Sequence, residues 1–391
     1  METVKKLGIL FDELADGLNI NDSMLEKAES AYTALGNYIK EKNLDWNISI
    51  YPQGSFQLGT VIKPLSDDDQ YDVDLVVVVN SLDISAKNLR GEILELLKSH
   101  GRYEGKIDEK KPCIRIQYAD TSQFHMDVAC AIPLLDKNDE RVEIAKFDGL
   151  ESYYYDRSNP KGYNNWFKNA MKFEEERKYF ARSKGLSDTE VENLKLTKLR
   201  TPLQKTVQIL KRHRDIYFAN KNQDNKVSSI IITTLCARVY EDMIKSTKDE
   251  ENLYLIISEI LSSLDKYIIR DEKGIYHLKN PSMAEEDFLK KWENNEIQVN
   301  AFYGWLSKAR LDIIQNPKNF LETDQLEFRK YFSESFGEKL VSNSLNNYGE
   351  RIGKLAKEGK LYYNNKTNSL TINPNDSTYS PHTFFGGNEI E

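Results

Sequence analysis

The chain has 391 residues, enough for two domains or one bilobal enzyme, because single cores stop growing at about 250 to 300 residues. Its 62 acidic against 54 basic residues give a formal net charge of -8, which argues against a surface built to attract nucleic acid. The three cysteines, Cys113, Cys130 and Cys236, share no C-x-x-C spacing and no paired histidines, which argues against a disulfide framework or a structural zinc and fits a reducing cytosol.

Met1 to Leu18 mixes Lys5, Lys6, Asp12 and Glu13 among apolar residues and reads as an amphipathic helix, not a signal peptide. Apolar positions 7, 9, 10, 14 and 18, then 24, 28, 32, 35 and 39, predict two helices or one long bent one before residue 43. Trp46, Ile48 and Ile50 alternate with polar residues, a strand ended by Pro52 and a Gly54-Ser55 turn. Tyr71 to Val79 is a second strand, apolar enough at its end to be central. Its Leu75–Val79 run falls far short of the roughly 20 residues that span a bilayer, so a soluble cytoplasmic protein with no membrane partner is expected. Leu89 to Leu97 is helical, and Ile114–Tyr118 with Phe124–Val128 predict a hairpin through Ala119–Ser122.

Glu151 to Lys161 reads as an exposed loop, and the chain beyond it as helical almost throughout. Thr201-Pro202-Leu203-Gln204 is a helix start with a cap, a proline at the first position and a returning glutamine, opening a helix to about Tyr217. Ser282-Met283-Ala284-Glu285 repeats that logic before Phe288, Leu289 and Trp292. Asn373 to Glu391 reads as a tail.

The chemistry concentrates in Gly54-Ser55-Phe56-Gln57-Leu58-Gly59-Thr60, Tyr71-Asp72-Val73-Asp74-Leu75 and His125-Met126-Asp127-Val128. Asp72 and Asp74, two apart on a strand, share a face opposite Tyr71, Val73 and Leu75. Alone, the pair is also compatible with a solvated strand edge, Gly54-Ser55 with a plain turn, and Asp127 with a hairpin surface residue. Together they meet the demands of nucleotidyl transfer: backbone N–H groups for a phosphate, and three carboxylates for two Mg²⁺ ions beside an attacking hydroxyl.

These three elements resemble the cGAS/DncV-like nucleotidyltransferases, which make cyclic oligonucleotide signals in bacterial antiphage defence (CBASS). The resemblance extends over roughly residues 30 to 315, through Leu203–Asp215, Ser229–Leu235, Asn280-Pro281, Phe302 and Trp305. It implies an α+β, bilobal polymerase-β-like fold: a catalytic core over 1–200 with a mixed sheet, a helical lobe over 201–372, and a tail over 373–391. It assigns catalysis and metal binding to Asp72, Asp74 and Asp127, and the donor triphosphate to Gly54, Ser55, Lys211 and Ser229. On spacing alone, the helical face carrying Gln204, Gln208, Lys211 and Asp215 reads as solvated, and Ser229 as a cap.

The implied reaction condenses ATP or other NTPs into a cyclic di- or trinucleotide with release of pyrophosphate, using two Mg²⁺ ions with Mn²⁺ able to substitute. A regulatory partner of the defence system and an effector that reads the product are implied as well. Animal relatives place a base-stacking aromatic after the serine, where this chain has Ile230, so the base must be held elsewhere, with Tyr153–Tyr155 as candidates. The absence of a Cys/His cluster argues against a double-stranded nucleic-acid activator. The rival readings are a linear-oligonucleotide or RNA-end nucleotidyltransferase and an idle nucleotide-binding module.

Overall fold

The computed structural model describes residues 2–42, 46–66, 70–81, 83–118, 124–134, 140–171, 200–246, 252–317, 325–360, 362–364, 369–371 and 377–378. Two helices open the chain, α1 (Glu2–Leu18) and α2 (Asp22–Lys42). A seven-stranded sheet follows, built from β1 (Ile48–Gln53), β2 (Tyr71–Val79), β3 (Ile107–Glu109), β4 (Ile114–Gln117), β5 (Phe124–Pro133), β6 (Val142–Phe147) and β7 (Tyr153–Ser158). Its main path runs β1-β2-β5-β4-β3, with β6 added to β5 and β7 to β6. Only the β2–β5 pair among these is parallel.

The apolar run of β2 explains its central place. Val73, Leu75, Val77 and Val79 pack on one side with α2 and α4 (Ala86–Ser99). Val76 and Val78 pack on the other with Ala129, Ala131, Val142 and Ile144. Each buried valine or leucine contributes about 1.5–3 kcal/mol, so the register of β2 is fixed by its apolar half and the two aspartates are carried along.

The helical lobe comprises α5 (Pro160–Ala170), α6 (Pro202–Phe218), α7 (Ser229–Ser246), α8 (Leu253–Ser262), α9 (Glu296–Arg310), α10 (Gln325–Phe336) and α11 (Glu338–Lys357). The expected start of α6 is present in full: Gln204 N donates to Thr201 Oγ1 at 3.3 Å, and Thr201 N donates to Gln204 Oε1 at 2.9 Å. Although α1 precedes the sheet in sequence, it packs into this lobe. Its Leu7, Leu10, Phe11 and Leu14 are buried there, with Phe11 against Tyr254, Phe332 and Phe336.

Four local expectations are corrected. Gly54-Ser55 does not form a plain turn but opens a short helix, α3 (Gly54–Leu58), closed by Gly59 in the left-handed region. The expected loop at 151–161 contains strand β7, paired with β6 from Val142↔Ser158 to Phe147↔Tyr153. Its tyrosines alternate as strand residues do: Tyr153 and Tyr155 pack on the sheet's core while Tyr154 is exposed. Ser282 does not cap a helix, because its N–H and hydroxyl both bond Asn280 Oδ1, and Met283–Asp287 is a strand hairpinned with Lys279–Asn280. Within the expected tail, Ser377–Thr378 pairs with Tyr362–Tyr363. The expected hairpin turn at 119–122 and residues 379–391 lie outside the described residues.

Candidate active site

The parallel ladder between β2 and β5 sets Asp72 beside His125 and Asp74 beside Asp127. Because alternate strand residues share a face, three carboxylates converge at the amino-terminal halves of two adjacent strands. His125 Nε2 contacts Asp72 Oδ1, and its Nδ1 lies 3.2 Å from Gln70 Oε1. From the neighbouring antiparallel strand, Arg115 sits directly opposite Asp127 and grips it with two bonds. Nε donates to Oδ1 and Nη2 to Oδ2, both at 2.8 Å, with Nη2 also 3.8 Å from Asp72 Oδ1.

The loop before β2 closes over these carboxylates. Gly54 has φ 65°, and a β-carbon there would meet Asp74 Oδ2 at 2.0 Å, so only glycine lets the backbone approach the acid this closely.

From the other lobe, α6 lays its polar face on the last residue of α3 and the segment that follows it. Gln204 Nε2 donates to Leu58 O at 2.8 Å, Gln208 Nε2 to Val61 O at 2.7 Å, Lys211 Nζ to Thr60 O at 2.9 Å, and Arg212 Nη2 to Lys63 O at 2.6 Å. This overturns the solvated face that spacing suggests: all four side chains are buried. Their partners are main-chain carbonyls, which leave no trace in residue type. At the carboxyl end of the same helix, Arg214 Nη1 donates to Ser229 Oγ at 2.8 Å and to Val227 O at 3.0 Å, while its Nη2 pairs with Asp215.

Charge balance is uneven across the site. Burial, then the charges of Asp72 and Asp127, push the Asp74 carboxyl up to about 8. Burial also works to raise Asp72, but the His125 hydrogen bond and charge, Arg115 and Lys211 outweigh it and hold Asp72 below the ordinary value. Burial, then Arg214, bring Lys211 down to about 8 against the pull of Asp215, Asp72 and Asp74.

All seven residues singled out in the sequence, Gly54, Ser55, Asp72, Asp74, Asp127, Lys211 and Ser229, line one cleft of about 520 Å³ between the sheet and the helical lobe. The cleft continues past the carboxylates to Asn159, which caps α5, to Tyr163 and Asn164 of α5, Ile230 and Thr233 of α7, and Glu286 and Phe288. Tyr153–Tyr155, candidates for base stacking, are not among its lining residues.

Residues 1–170 match the family of Second Messenger Oligonucleotide or Dinucleotide Synthetase domains. A c-di-GMP synthase of Roseivirga ehrenbergii is 27% identical over 303 residues, 75% of each chain. Over residues 1–170 the chain thus carries a domain similar to the cGAS/DncV-like nucleotidyltransferases. Bradyrhizobium diazoefficiens CdnG, a cyclic dinucleotide synthase, is 20% identical over 376 residues, 89% of this chain and 84% of that one. Its structure in complex with GTP superposes with a TM-score of 0.67 at 19% identity, covering 88% of this chain and 98% of that one. The structure of Escherichia coli MS115-1 CdnC with ATP gives a TM-score of 0.58 at 14% identity, covering 84% and 96%.

The donor set of this nucleotidyltransferase fits divalent cations. Asp72, His125 and Asp127 offer ligand atoms within 4.8 Å of one another, and the raised Asp74 carboxyl marks excess negative charge that a cation would relieve. Sequence reasoning missed Arg115 and Arg214. Arg115 alternates out of phase with the apolar Ile114 and Ile116, a sign that it faces the polar side, but only the pairing register brings it opposite Asp127. Among the described residues no helix is long and apolar enough to cross a membrane.

Proposed function

We propose that this nucleotidyltransferase joins two ribonucleoside triphosphates, GTP foremost, into a cyclic dinucleotide second messenger of antiphage defence, releasing pyrophosphate. The observation that carries the reading is one cleft with three carboxylates on one wall and Lys211, Ser229 and the Gly54-Ser55 segment around it. Guanine and the two-base ring rest on the names of the relatives, a c-di-GMP synthase and a cyclic dinucleotide synthase with a GTP complex. A trinucleotide ring is the alternative.

In this reading Gly54 and Ser55 cradle the donor triphosphate with backbone N–H groups and a hydroxyl, and Lys211 and Ser229 bind it from the helical lobe. Asp72, Asp74 and Asp127 hold two Mg²⁺ ions, replaceable by Mn²⁺, which when bound neutralise the triphosphate and acidify the attacking hydroxyl. A ribose hydroxyl of the second nucleotide attacks the donor's α-phosphorus. The new O–P bond forms as the bond to pyrophosphate breaks, and the hydroxyl proton passes to a carboxylate oxygen of Asp127. A second round closes the ring. The purine occupies the region bounded by Tyr163, Asn164, Ile230 and Thr233, within a cytoplasmic enzyme divided near residue 200, with α1 assigned to the helical lobe.

The test is incubation with the four NTPs, one radiolabelled at a time, followed by mass spectrometry of phosphatase-resistant products. A resistant product containing two guanylates is expected with Mg²⁺ or Mn²⁺, and Asp72→Asn or Asp74→Asn should abolish it. Only phosphatase-sensitive chains would favour linear synthesis, and no pyrophosphate release from any NTP mixture would favour an idle module.

A further inference from the structure

We propose that Arg115 is a built-in counter-ion for the metal-binding carboxylates, and that a divalent ion reaches Asp127 by displacing its guanidinium. The inference rests on the assignment of Asp72, Asp74 and Asp127 as metal ligands, and it adds a competitor within the protein for the same oxygens.

The geometry is specific. Arg115 spends two of its N–H groups on the two oxygens of Asp127, both at 2.8 Å, and Nη2 leans toward Asp72 at 3.8 Å. A fork-on-fork pair of this kind fills the lone pair of each oxygen that faces the arginine, and Nη2 stands between Asp127 Oδ2 and Asp72 Oδ1, on the side where a cation held by both carboxylates would approach. A hard cation needs at least one of those oxygens at about 2.0–2.6 Å, where no N–H can remain along the same line. The backbone cannot give way, because Arg115 and Asp127 are cross-strand partners in a four-residue antiparallel ladder flanked by buried Ile114 and Ile116. The head of the arginine can. Its side chain is 29% exposed, so a long flexible stem is free to carry the guanidinium toward solvent while Asp127 stays at 12%.

Two roles for this pair predict opposite results. If Arg115 serves to hold Asp127 in a metal-ready rotamer, removing it weakens metal binding. If it is a counter-ion, removing one positive charge and freeing two oxygens strengthens metal binding, by about tenfold for a neighbouring unit charge in a partly solvated site.

The experiment measures Mn²⁺ binding to the nucleotide-free full chain by the electron paramagnetic resonance signal of free Mn²⁺. Arg115→Gln is expected to bind Mn²⁺ about tenfold more tightly than the natural sequence, and Arg115→Lys, which keeps the charge but loses the fork, to fall between them. In turnover assays Arg115→Gln should lower the Mg²⁺ concentration for half-maximal rate even as kcat falls, a split that simple damage to the fold does not produce. Unchanged or weaker Mn²⁺ affinity in both Arg115 variants overturns the proposal. The double variant Asp72→Asn/Asp127→Asn separates the two levels of the reading: if it binds Mn²⁺ as well as the natural chain, the metal-ligand assignment itself fails, whatever Arg115 does.

Discussion

The backbone of Gly54 rests against the carboxylate of Asp74 so closely that a β-carbon on the glycine would stand 2.0 Å from Oδ2. A φ of 65° adds a second reason for glycine, since an L-residue there costs about 1–2 kcal/mol. Gly54→Ala therefore strains the loop and drives Asp74 off its rotamer. Turnover is expected to drop at least 100-fold, while unfolding shifts by only a few degrees, about 2–4 °C for each kcal/mol in a large domain. Initial rates with saturating NTP, set beside a thermal melt, check the split. A variant with normal turnover would contradict the contact.

Asp74 also ties function to pH. Folded, it keeps its proton up to about 8, while in the unfolded chain it ionises near 3.8. The folded state binds more protons between those values, so Asp74 makes stability fall as pH rises through that window. Asp74→Asn removes the buried charge. The variant should be inactive yet melt higher than the natural chain at pH 8, with a gap that shrinks toward pH 5, where both carry a neutral group. Melts at the two pH values decide the matter, and an equal gap at both would argue against a protonated Asp74.

Gln208 is fully buried, with Nε2 donating to Val61 O at 2.7 Å and to Asn19 Oδ1 at 3.0 Å. Gln208→Leu strands Val61 O, while Asn19 Oδ1 keeps the bond from Arg200 Nε at 3.3 Å, and a buried unsatisfied polar group costs about 1–3 kcal/mol. Because Lys211 holds Thr60 of the same segment, loosening that segment should also raise KM for NTP more than it lowers kcat. Urea unfolding and a Michaelis analysis measure the two effects separately. Loss of stability without any rise in KM would disconnect the helix clamp from the phosphate loop.

What the sequence disclosed about this fold depended on how local the cause was. The capping box of α6 lies within four residues, and the β2 alternation within nine, so both were readable. The Arg115–Asp127 pair needs a hairpin register, and the seating of Gln204, Gln208 and Lys211 needs carbonyls about 150 residues earlier in the chain. Neither is carried by spacing, so an amphipathic helix with a buried polar face looked like one with a wet face. Ser282 misled for a related reason: a serine before an apolar run suggests a cap, but Asn280 had already taken its hydroxyl.

Deep in the helical lobe, His213 accepts a hydrogen bond at Nδ1 from Trp305 Nε1 at 3.1 Å, and its Nε2 faces Asp312 Oδ2 at 3.0 Å. An imidazole accepting at Nδ1 carries its proton on Nε2 and is neutral. Burial, ahead of the opposing pull of Asp312, holds its pKa below the ordinary 6.5. The unfolded chain then takes up a proton near pH 6.5 that the folded chain refuses, so stability is lost as pH falls below that value. Asp312 titrates far lower: burial opposes ionisation, but His213, Lys308 and Tyr331 bring it to about 2, so its own loss begins only below about pH 4. His213→Gln offers an oxygen to Trp305 and an N–H to Asp312 without a titrating ring. It should cost about 1 kcal/mol at pH 7 through imperfect packing and flatten the decline between pH 7 and pH 5. Urea midpoints at pH 7, 6 and 5 for both chains measure that slope, and an identical decline in the two would place the acid sensitivity elsewhere.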